Sequence, residues 1–224
     1  MLFTVFLIFL YFILPNSRHC GKAVFFNLLS FSIARALIPA ECHFIFFDQS
    51  LKLEVTLLIL ETERLFLREF IETDIPTLHS LYSDAETMSY YPAPFRYEQT
   101  ESWVSRNQQR YKRDGYGLWA VCLKETDECI GDCGLVKQLI EGQTHVEIGY
   151  HIHKNYWCRG FATEAAKACK SYGFDALGLD KLISIIDPAN TASIRVAENI
   201  GFTREKEVWI FEKMHAIYSG LREE

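Results

Sequence analysis

The feature that most constrains this sequence is an alternating segment that runs through a glycine-containing turn into a helix. Residues 146–152 alternate between two sets of side chains, which a strand presents on opposite faces. One set is apolar (Val146, Ile148, Tyr150 and Ile152), and the other consists of Glu147, Gly149 and His151. After the Arg159–Gly160 turn, the pattern predicts a helix over 163–177 and a second strand over 182–186. Such a β-α-β unit requires a sheet with helices packed against it.

The rest of the sequence predicts a mixed α/β (α+β) domain around that unit. Alternation indicates further strands over 61–68, 118–124 and 129–137, and two more within 205–221. Helices are indicated after a Thr73–Asp74 cap, over 97–113 and over 192–200. The order is therefore a strand, two helices, an antiparallel run, and then alternating strands and helices.

The composition divides the chain at about residue 57. Residues 1–57 hold ten of the seventeen Phe but only seven charged residues, whereas residues 58–224 hold 45 charged residues with a net charge of −7. As a helix the first fourteen residues would span roughly 21 Å, less than the ~30 Å hydrocarbon core of a bilayer. No Lys or Arg precedes Arg18, so the basic region of a secretory signal is missing.

Two interpretations of residues 1–57 follow from this division. The segment is a poorly built membrane anchor, or it precedes a true start near Val55 and is not part of the working protein. Both interpretations place residues 1–57 outside the fold and predict that residues 58–224 form the domain. A cytoplasmic protein is expected, with membrane association only if the N-terminal segment is translated.

Composition and motif content exclude several classes of function. The chain is 49% apolar and 23% charged, which is near the globular average. A net charge of −6 offers no basic patch for a nucleic acid. Seven cysteines without a CxxC pair favour reduced thiols over a disulfide framework. There is no G-x-G-x-x-G and no G-x-S-x-G, which disfavours a dinucleotide-binding fold and a serine hydrolase.

A metal site is also disfavoured. The candidate ligands are His151, His153, Cys158, Cys129 and Cys133, and their spacing matches no common zinc pattern. No metal is therefore expected.

Three segments carry residues suited to chemistry. The first is the face of strand 146–152 that bears Glu147 and His151, since a carboxylate and an imidazole on one face can form the wall of a site. A solvated sheet face is the simpler explanation of these two residues when they are taken alone.

The second segment is the turn from residue 156 to 165. The first N–H groups of a helix have no internal partners and lie at the positive end of its dipole. Gly160 permits close approach of a ligand, Ala162 leaves the first turn open, and Arg159 adds a cation. This arrangement suits a pyrophosphate, although an ordinary strand-to-helix turn explains the pattern as well.

The third segment begins the short helix over 192–200. Asn190 is well placed as its N-cap, with Ser193 three residues further on. Local capping explains Asn190 adequately and Ser193 only in part.

Taken in order, these segments resemble the GCN5-related N-acetyltransferase (GNAT) superfamily, and within it the branch that acetylates the N-termini of ribosomal proteins. The similarity covers roughly residues 58–221. The motifs that carry it are Leu-Glu-Thr-Glu-Arg-Leu-Phe-Leu-Arg at 60–68, Gly-Tyr-Gly-Leu-Trp-Ala-Val at 115–121, Glu-Ile-Gly-Tyr at 147–150, the Arg159-Gly160-x-Ala162 turn, and Asn190-x-x-Ser193 through Gly201-Phe202. The resemblance implies a mostly antiparallel twisted sheet, splayed between the fourth and fifth strands of the family and flanked by helices.

The resemblance also implies a reaction and a set of site residues. Acetyl-CoA is the expected donor, and the acceptor is a primary amine of a small molecule or a protein N-terminus. Glu147 is the expected base, with His151 as a second candidate, and backbone N–H groups near Gly149 and Tyr150 hold the oxyanion. The expected acetyl-CoA contacts are Ile148, Gly149, Tyr150, Cys158, Arg159, Gly160, Phe161, Ala162, Thr163 and Asn190, of which Asn190 faces either the cofactor or the reacting centre.

Three positions depart from the pattern of the family. Trp157 stands where Gln or Arg is usual, and Cys158 stands where Gly is common; because backbone groups make the phosphate contact, binding is expected to survive both. Ala197 occupies the position where many members place a Tyr that acts as the acid for the thiolate. Ser193 is therefore the candidate acid. Trp157 and Ala197 also favour the alternative of a catalytically inactive module that binds acyl-CoA as a sensor or partner.

The acceptor itself is not named by any residue in the sequence. Because loops carry specificity, loops 84–97 and 137–145 and the C-terminal tail are expected to shape the acceptor groove.

Overall fold

The structure, a computed structural model, describes residues 44–49 and 52–223, with side chains described from residue 57. Its sheet has the strand order β1-β2-β3-β4-β5-β6-β7-β9-β8. The strands are β1 (Phe44–Gln49), β2 (Lys52–Glu61), β3 (Leu65–Arg68), β4 (Leu118–Leu123), β5 (Cys129–Ile140), β6 (Gln143–Ile152), β7 (Lys181–Ile186), β8 (Thr203–Ile210) and β9 (Lys213–Leu221). Neighbouring strands are antiparallel except β6 and β7, which are parallel.

Four α-helices flank this sheet in the described part of the chain. They are α1 (Ile75–Tyr82), α2 (Tyr97–Asp114), α3 (Phe161–Ser171) and α4 (Thr191–Asn199). The sequence-based prediction of a mixed α/β, mostly antiparallel fold is confirmed. None of the helices described is both long and apolar enough to cross a bilayer.

The two faces of β6 meet different helices. His151 packs edge-on against Tyr82 of α1 and Trp103 of α2. On the opposite face the Tyr150 hydroxyl donates to the backbone oxygen of Ser193 in α4. Alternation along the strand therefore turns Glu147, Gly149 and His151 toward α1 and α2.

A buried ion pair joins the end of β3 to the start of α1. The Arg68 guanidinium binds Asp74 through two hydrogen bonds of 2.6 Å, and both residues are less than 5% exposed. Asp74 was expected to cap α1, but its carboxylate instead accepts from Arg68 and from the Ile71 amide. Leaving a buried guanidinium without a carboxylate costs more free energy than leaving a helix N-terminus without a side-chain cap, so the Asp74 carboxylate pairs with Arg68.

Several element boundaries differ from the sequence-based expectation. The segment 61–68 is the end of β2, a turn and β3 rather than one strand, because Glu164 of α3 accepts hydrogen bonds from Thr62 Oγ1 and the Arg64 amide in that turn. The expected loop 137–145 is largely the β5–β6 hairpin, which turns at Glu141 and Gly142 with positive φ. Helix α3 begins at Phe161, two residues earlier than expected.

Residues 1–43 lie outside the described residues, so the interpretations of the N-terminal segment remain predictions. In the described part of that segment, β1 pairs with residues 52–57 of β2. Pairing of β2 with β3 begins at Leu58. The partner of β2 thus changes at the residue where the composition changes.

Candidate active site

The sheet opens between β6 and β7. Strand β6 pairs with β5 along ten residues, but its pairing with β7 is limited to Glu147 and Ile183. Just beyond this pair, the Ser184 hydroxyl donates to the Ile148 carbonyl at 3.0 Å. The backbone of β6 from Ile148 onward therefore lines a gap rather than a continuous ladder.

The direction of the Ile148 carbonyl identifies the backbone donor in this gap. Since this carbonyl receives the β7 hydroxyl, Ile148 turns its backbone groups toward β7, and strand alternation gives Tyr150 the same orientation. Gly149 turns its backbone groups toward its partner Gly134 in β5. Of the two amides expected to serve as oxyanion donors, the Tyr150 N–H is the one that faces the gap.

Glu147 lies at the point where β6 and β7 separate. Its carboxylate accepts from Gln138 Nε2 at 2.6 Å. Burial raises the pKa of Glu147, and hydrogen bonds from Gln138 and the Ile185 amide partly oppose that rise. A carboxyl with a raised pKa accepts a proton more readily near neutrality than an exposed one does.

His151 belongs to a network of hydrogen bonds that the sequence does not reveal. Its Nδ1 lies 2.9 Å from Asp132 Oδ1, and its Nε2 lies 2.5 Å from the Tyr91 hydroxyl. The Tyr82 hydroxyl donates to the other carboxylate oxygen of Asp132. Burial lowers the pKa of His151, but the facing Asp132 carboxylate more than offsets this, so the net shift is upward.

The turn before α3 presents unpaired backbone donors. Cys158 and Gly160 adopt left-handed conformations, with φ of 59° and 81°. The first helical hydrogen bond runs from the Glu164 amide to the Gly160 carbonyl at 3.0 Å. Within the described residues, no protein acceptor takes the N–H groups of residues 158–163.

Side chains around this turn leave its amides accessible. Cys158, Arg159 and Gly160 are exposed, whereas Phe161 is buried and anchors the helix start. The Trp157 indole donates to the Ile152 carbonyl at 2.6 Å and so fixes the chain as it leaves β6. The Arg64 guanidinium binds the Arg159 carbonyl and stacks on Phe161.

The start of α4 faces the gap from the other side of the sheet. Asn190 is the N-cap as expected, since its Oδ1 accepts from the Ser193 amide at 3.0 Å. Burial raises the pKa of Tyr150, and a hydrogen bond with the Ser193 side chain acts in the opposite direction. Position 197 of α4 is occupied by a fully buried Ala. Helix α4 therefore carries no phenol there that could act as an acid.

The metal alternative receives no support from the described residues, which contain no cluster of three or more His, Cys, Asp or Glu side chains able to hold an ion. His151 is engaged by Asp132 and Tyr91 instead. His153, the second histidine considered as a metal ligand, lies beyond the end of β6, and its Nδ1 accepts a hydrogen bond from the Asn155 amide.

An opened sheet followed by a turn of amides that no described residue accepts from, at the start of a helix, is the arrangement that the sequence-based resemblance to acetyltransferases predicts. The family model described as acetyltransferase (GNAT) domain matches residues 64–203, and the chain belongs to this family. The sequence-based resemblance to the GNAT superfamily is thereby confirmed.

Known proteins similar to this chain include one curated relative and two solved structures. An uncharacterized protein of Bacillus subtilis (strain 168), YkkB, is 42% identical over 71% of this chain and 93% of its own length. A GNAT-family acetyltransferase from Bacillus anthracis is 30% identical, with a TM-score of 0.64 over 74% of this chain and 99% of that chain. RimL, a ribosomal L7/L12 α-N-protein acetyltransferase, is 17% identical with a TM-score of 0.65 over 79% and 99% of the two chains, which shows a shared fold.

Sequence reasoning missed Asp132 as a neighbour of the site, although a charge in the apolar first half of β5 was a usable signal. Tyr91 and Gln138 fall within loops 84–97 and 137–145, which were expected to shape the acceptor groove, but no pattern singled out either residue. Tyr91 reaches His151 of β6 only through tertiary packing.

Proposed function

We propose that this chain is an N-acetyltransferase that moves an acetyl group from acetyl-CoA to a primary amine by direct attack. One observation carries the proposal: β6 ends at the opened part of the sheet, and after a short 3-10 turn at Lys154–Tyr156 the chain reaches the backbone N–H groups of residues 158–163, which no acceptor among the described residues takes. A diphosphate at the helix start would place an attached thioester along the β6 edge, next to Glu147.

The residues around the turn and the gap fit acetyl-CoA. In this proposal the N–H groups of residues 158–163 hold the pyrophosphate, with the Arg159 side chain as a nearby cation. The pantetheine arm follows the β6 edge at Ile148, Gly149 and Tyr150. Asn190 borders the reacting centre from α4. Backbone donors make these contacts, so Trp157 and Cys158 do not interfere with them.

Glu147 is assigned the role of general base. An α-amino group with a pKa near ~7.8 is already roughly one-tenth neutral at pH 7, whereas an amine near ~10.4 costs about 4–5 kcal/mol to deprotonate. A carboxyl whose pKa is raised by burial needs only a modest driving force for an α-amine. The Tyr150 N–H, which faces the gap, is assigned to the oxyanion.

The amine class of the acceptor is supported by similarity, at the level of a proposal. RimL, which shares the fold, is described as an α-N-protein acetyltransferase. A protein N-terminus and a small-molecule amine both fit the proposed chemistry. We infer a cytoplasmic location from the cysteine pattern alone.

Two measurements test the proposed function against its inactive alternative. Acetyl-CoA should raise the melting temperature, because a ligand that binds only the folded state stabilises it, and a panel of peptide and polyamine amines should release free thiol from acetyl-CoA. Stabilisation without thiol release from any amine would instead support an acyl-CoA-binding sensor. No stabilisation at saturating acetyl-CoA would contradict both readings.

Replacing Ser193 with Ala should reduce kcat more than it weakens acetyl-CoA binding. Ser193 lies next to the Tyr150 phenol, which donates to its backbone oxygen at 2.9 Å, and its side chain is assigned to protonate or hold the departing sulfur. Steady-state kinetics together with calorimetric titration of acetyl-CoA separate the two effects. If affinity falls while kcat is retained, Ser193 is a binding residue.

A further inference from the structure

We propose that Tyr91, His151 and Asp132 form a proton relay that takes up the proton lost by the acceptor nitrogen as the new C–N bond forms. The inference rests on the proposed N-acetyltransferase function. It assigns residues to the removal of the second proton from the acceptor nitrogen, because Glu147 accepts only the first. Tyr91 is the member that contacts the substrate; His151 and Asp132 act through it as positioning and proton-accepting groups.

The three residues form a continuous chain of hydrogen bonds. The Asp132 carboxylate lies 2.9 Å from His151 Nδ1, and the Tyr91 hydroxyl lies 2.5 Å from His151 Nε2. Asp132 is fully buried, and the His151 side chain is only 9% exposed. The Tyr91 residue is 43% exposed overall, so the chain of hydrogen bonds runs from a fully buried carboxylate to a residue at the protein surface.

This geometry selects one tautomer of neutral His151. A carboxylate can only accept, so Nδ1 carries the hydrogen that Asp132 binds, and Nε2 offers its lone pair to the Tyr91 hydroxyl. The same order of carboxylate, imidazole and hydroxyl activates the hydroxyl in acyl-transfer triads. Here a phenol occupies the place of the hydroxyl.

The relay lies on the same face of β6 as the proposed base. Glu147 and His151 are four residues apart on that face, which separates their Cα atoms by roughly 13 Å. The Glu147 carboxylate acts electrostatically on both His151 and Tyr91. The loop that carries Tyr91 is held in place by neighbouring elements. Lys213 of β9 donates to the Tyr90 carbonyl at 2.5 Å, and the Tyr90 hydroxyl donates to the Ala189 carbonyl at 3.2 Å.

Groups from every neighbouring element act on the imidazole. Those that face it are Asp132 from β5, Glu147 from β6, Tyr82 from α1, Tyr91 from its loop, and the uncharged Trp103 ring from α2, while Arg110 of α2 acts on Glu147. Two carboxylates outweigh the effect of burial and raise the pKa of His151. Burial raises the pKa of Tyr91 above its ordinary value, so its phenol stays protonated unless it passes a proton to Nε2.

The proposed step balances in atoms and electrons. Glu147 takes the first proton from the ammonium group, and the nitrogen lone pair forms the C–N bond while the carbonyl electron pair moves to oxygen. The nitrogen then gives its second proton to Tyr91 Oη as Tyr91 passes its own proton to His151 Nε2. The carbonyl re-forms, the C–S bond breaks with its electrons on sulfur, and of the two protons one ends on sulfur and one leaves to water.

Acceptors of different basicity separate the two proton steps. Ethylamine is charged at neutral pH, whereas the similarly shaped 2,2,2-trifluoroethylamine is largely neutral and needs only the second proton removed. Tyr91→Phe should lower kcat by about 10²-fold with both amines, the lower end of what a positioned proton-transfer group contributes. Glu147→Gln should lose much less activity with trifluoroethylamine than with ethylamine. Tyr172→Phe, the matched control, removes a hydroxyl from a tyrosine outside the relay and keeps its ring contact with Trp119, so it should remain within about twofold of the wild type.

The pH profile and the tautomer of His151 give readouts that a structural role would not move. In the wild type, kcat should fall below the raised pKa of His151, because the protonated imidazole cannot accept; His151→Asn should remove this limb. Nitrogen NMR of histidine-labelled protein should show the Nδ1–H tautomer for neutral His151. An Nε2–H tautomer, or Tyr91→Phe kinetics equal to those of Tyr172→Phe, would overturn the relay while leaving acetyl transfer intact. A wild type that acetylates no amine in a panel containing both probes would overturn the enzymatic function and the relay together.

Discussion

Glu147→Gln should lower kcat by a factor of about 10²–10⁴ with an alkylamine, the range expected for loss of a positioned general base, and by a smaller factor with a peptide N-terminus, whose α-amine is already partly neutral at pH 7. The amide has nearly the same shape as the carboxylate but cannot accept the proton. Because Gln138 and the Ile185 amide bind the Glu147 side chain, the local structure should survive the change. Steady-state kinetics with acetyl-CoA measure the loss.

The pH dependence of the same variant supplies a second check. Burial raises the pKa of Glu147, so wild-type activity should fall as the pH drops through that raised value and the carboxyl becomes protonated. The variant should lack this limb and keep only the limb attributed to His151. Glu198→Gln, at an exposed position of α4, is the control and should leave both kcat and the profile unchanged. Wild-type kinetics in Glu147→Gln would move the base to another residue.

Asp74→Asn should destabilise the protein by about 3–5 kcal/mol, the cost of breaking a buried ion pair by removing one partner. Arg68 and Asp74 are both less than 5% exposed, and two 2.6 Å hydrogen bonds join them. The substitution leaves a buried guanidinium without its carboxylate. Urea denaturation should show a lower midpoint with an unchanged slope.

An exposed ion pair provides the control for this measurement. Arg204 and Glu207 also form a salt bridge, but both side chains are about half-exposed. Glu207→Gln should therefore change the stability by at most ~1 kcal/mol. Equal small losses in Asp74→Asn and Glu207→Gln would show that desolvation of the buried pair cancels its attraction.

Much of the fold could be predicted from local patterns. The two helices around residues 75–82 and 97–114 and the strand ending at Ile152 were predicted within a few residues, because their apolar periodicity and their Pro or Gly punctuation are local signals. The division of segment 61–68 was not predictable. Its turn is held by Glu164, which is about 100 residues away in the sequence.

The features of the site also divide into those that local sequence patterns revealed and those that depend on tertiary structure. Glu147, Arg159–Gly160 and Asn190 were recognisable because strand alternation, a turn before a helix and a cap are each written in consecutive residues. The alternation also put Glu147 and His151 on one face of β6. Which backbone amide faces the gap was not recognisable, because that depends on the register of β6 against β5 and on the Ser184 hydroxyl from β7.

The sequence by itself determined the family, the order of strands and helices, and the helix start proposed to bind a pyrophosphate, since all of these arise from neighbours along the chain. Only the tertiary structure brought Tyr91 and Asp132 to opposite nitrogens of His151. These contacts join a loop and two strands across 60 and 19 residues of sequence. Burying a carboxylate and an imidazole is favourable only when each finds its partner, and packing of the whole domain decides which partner that is.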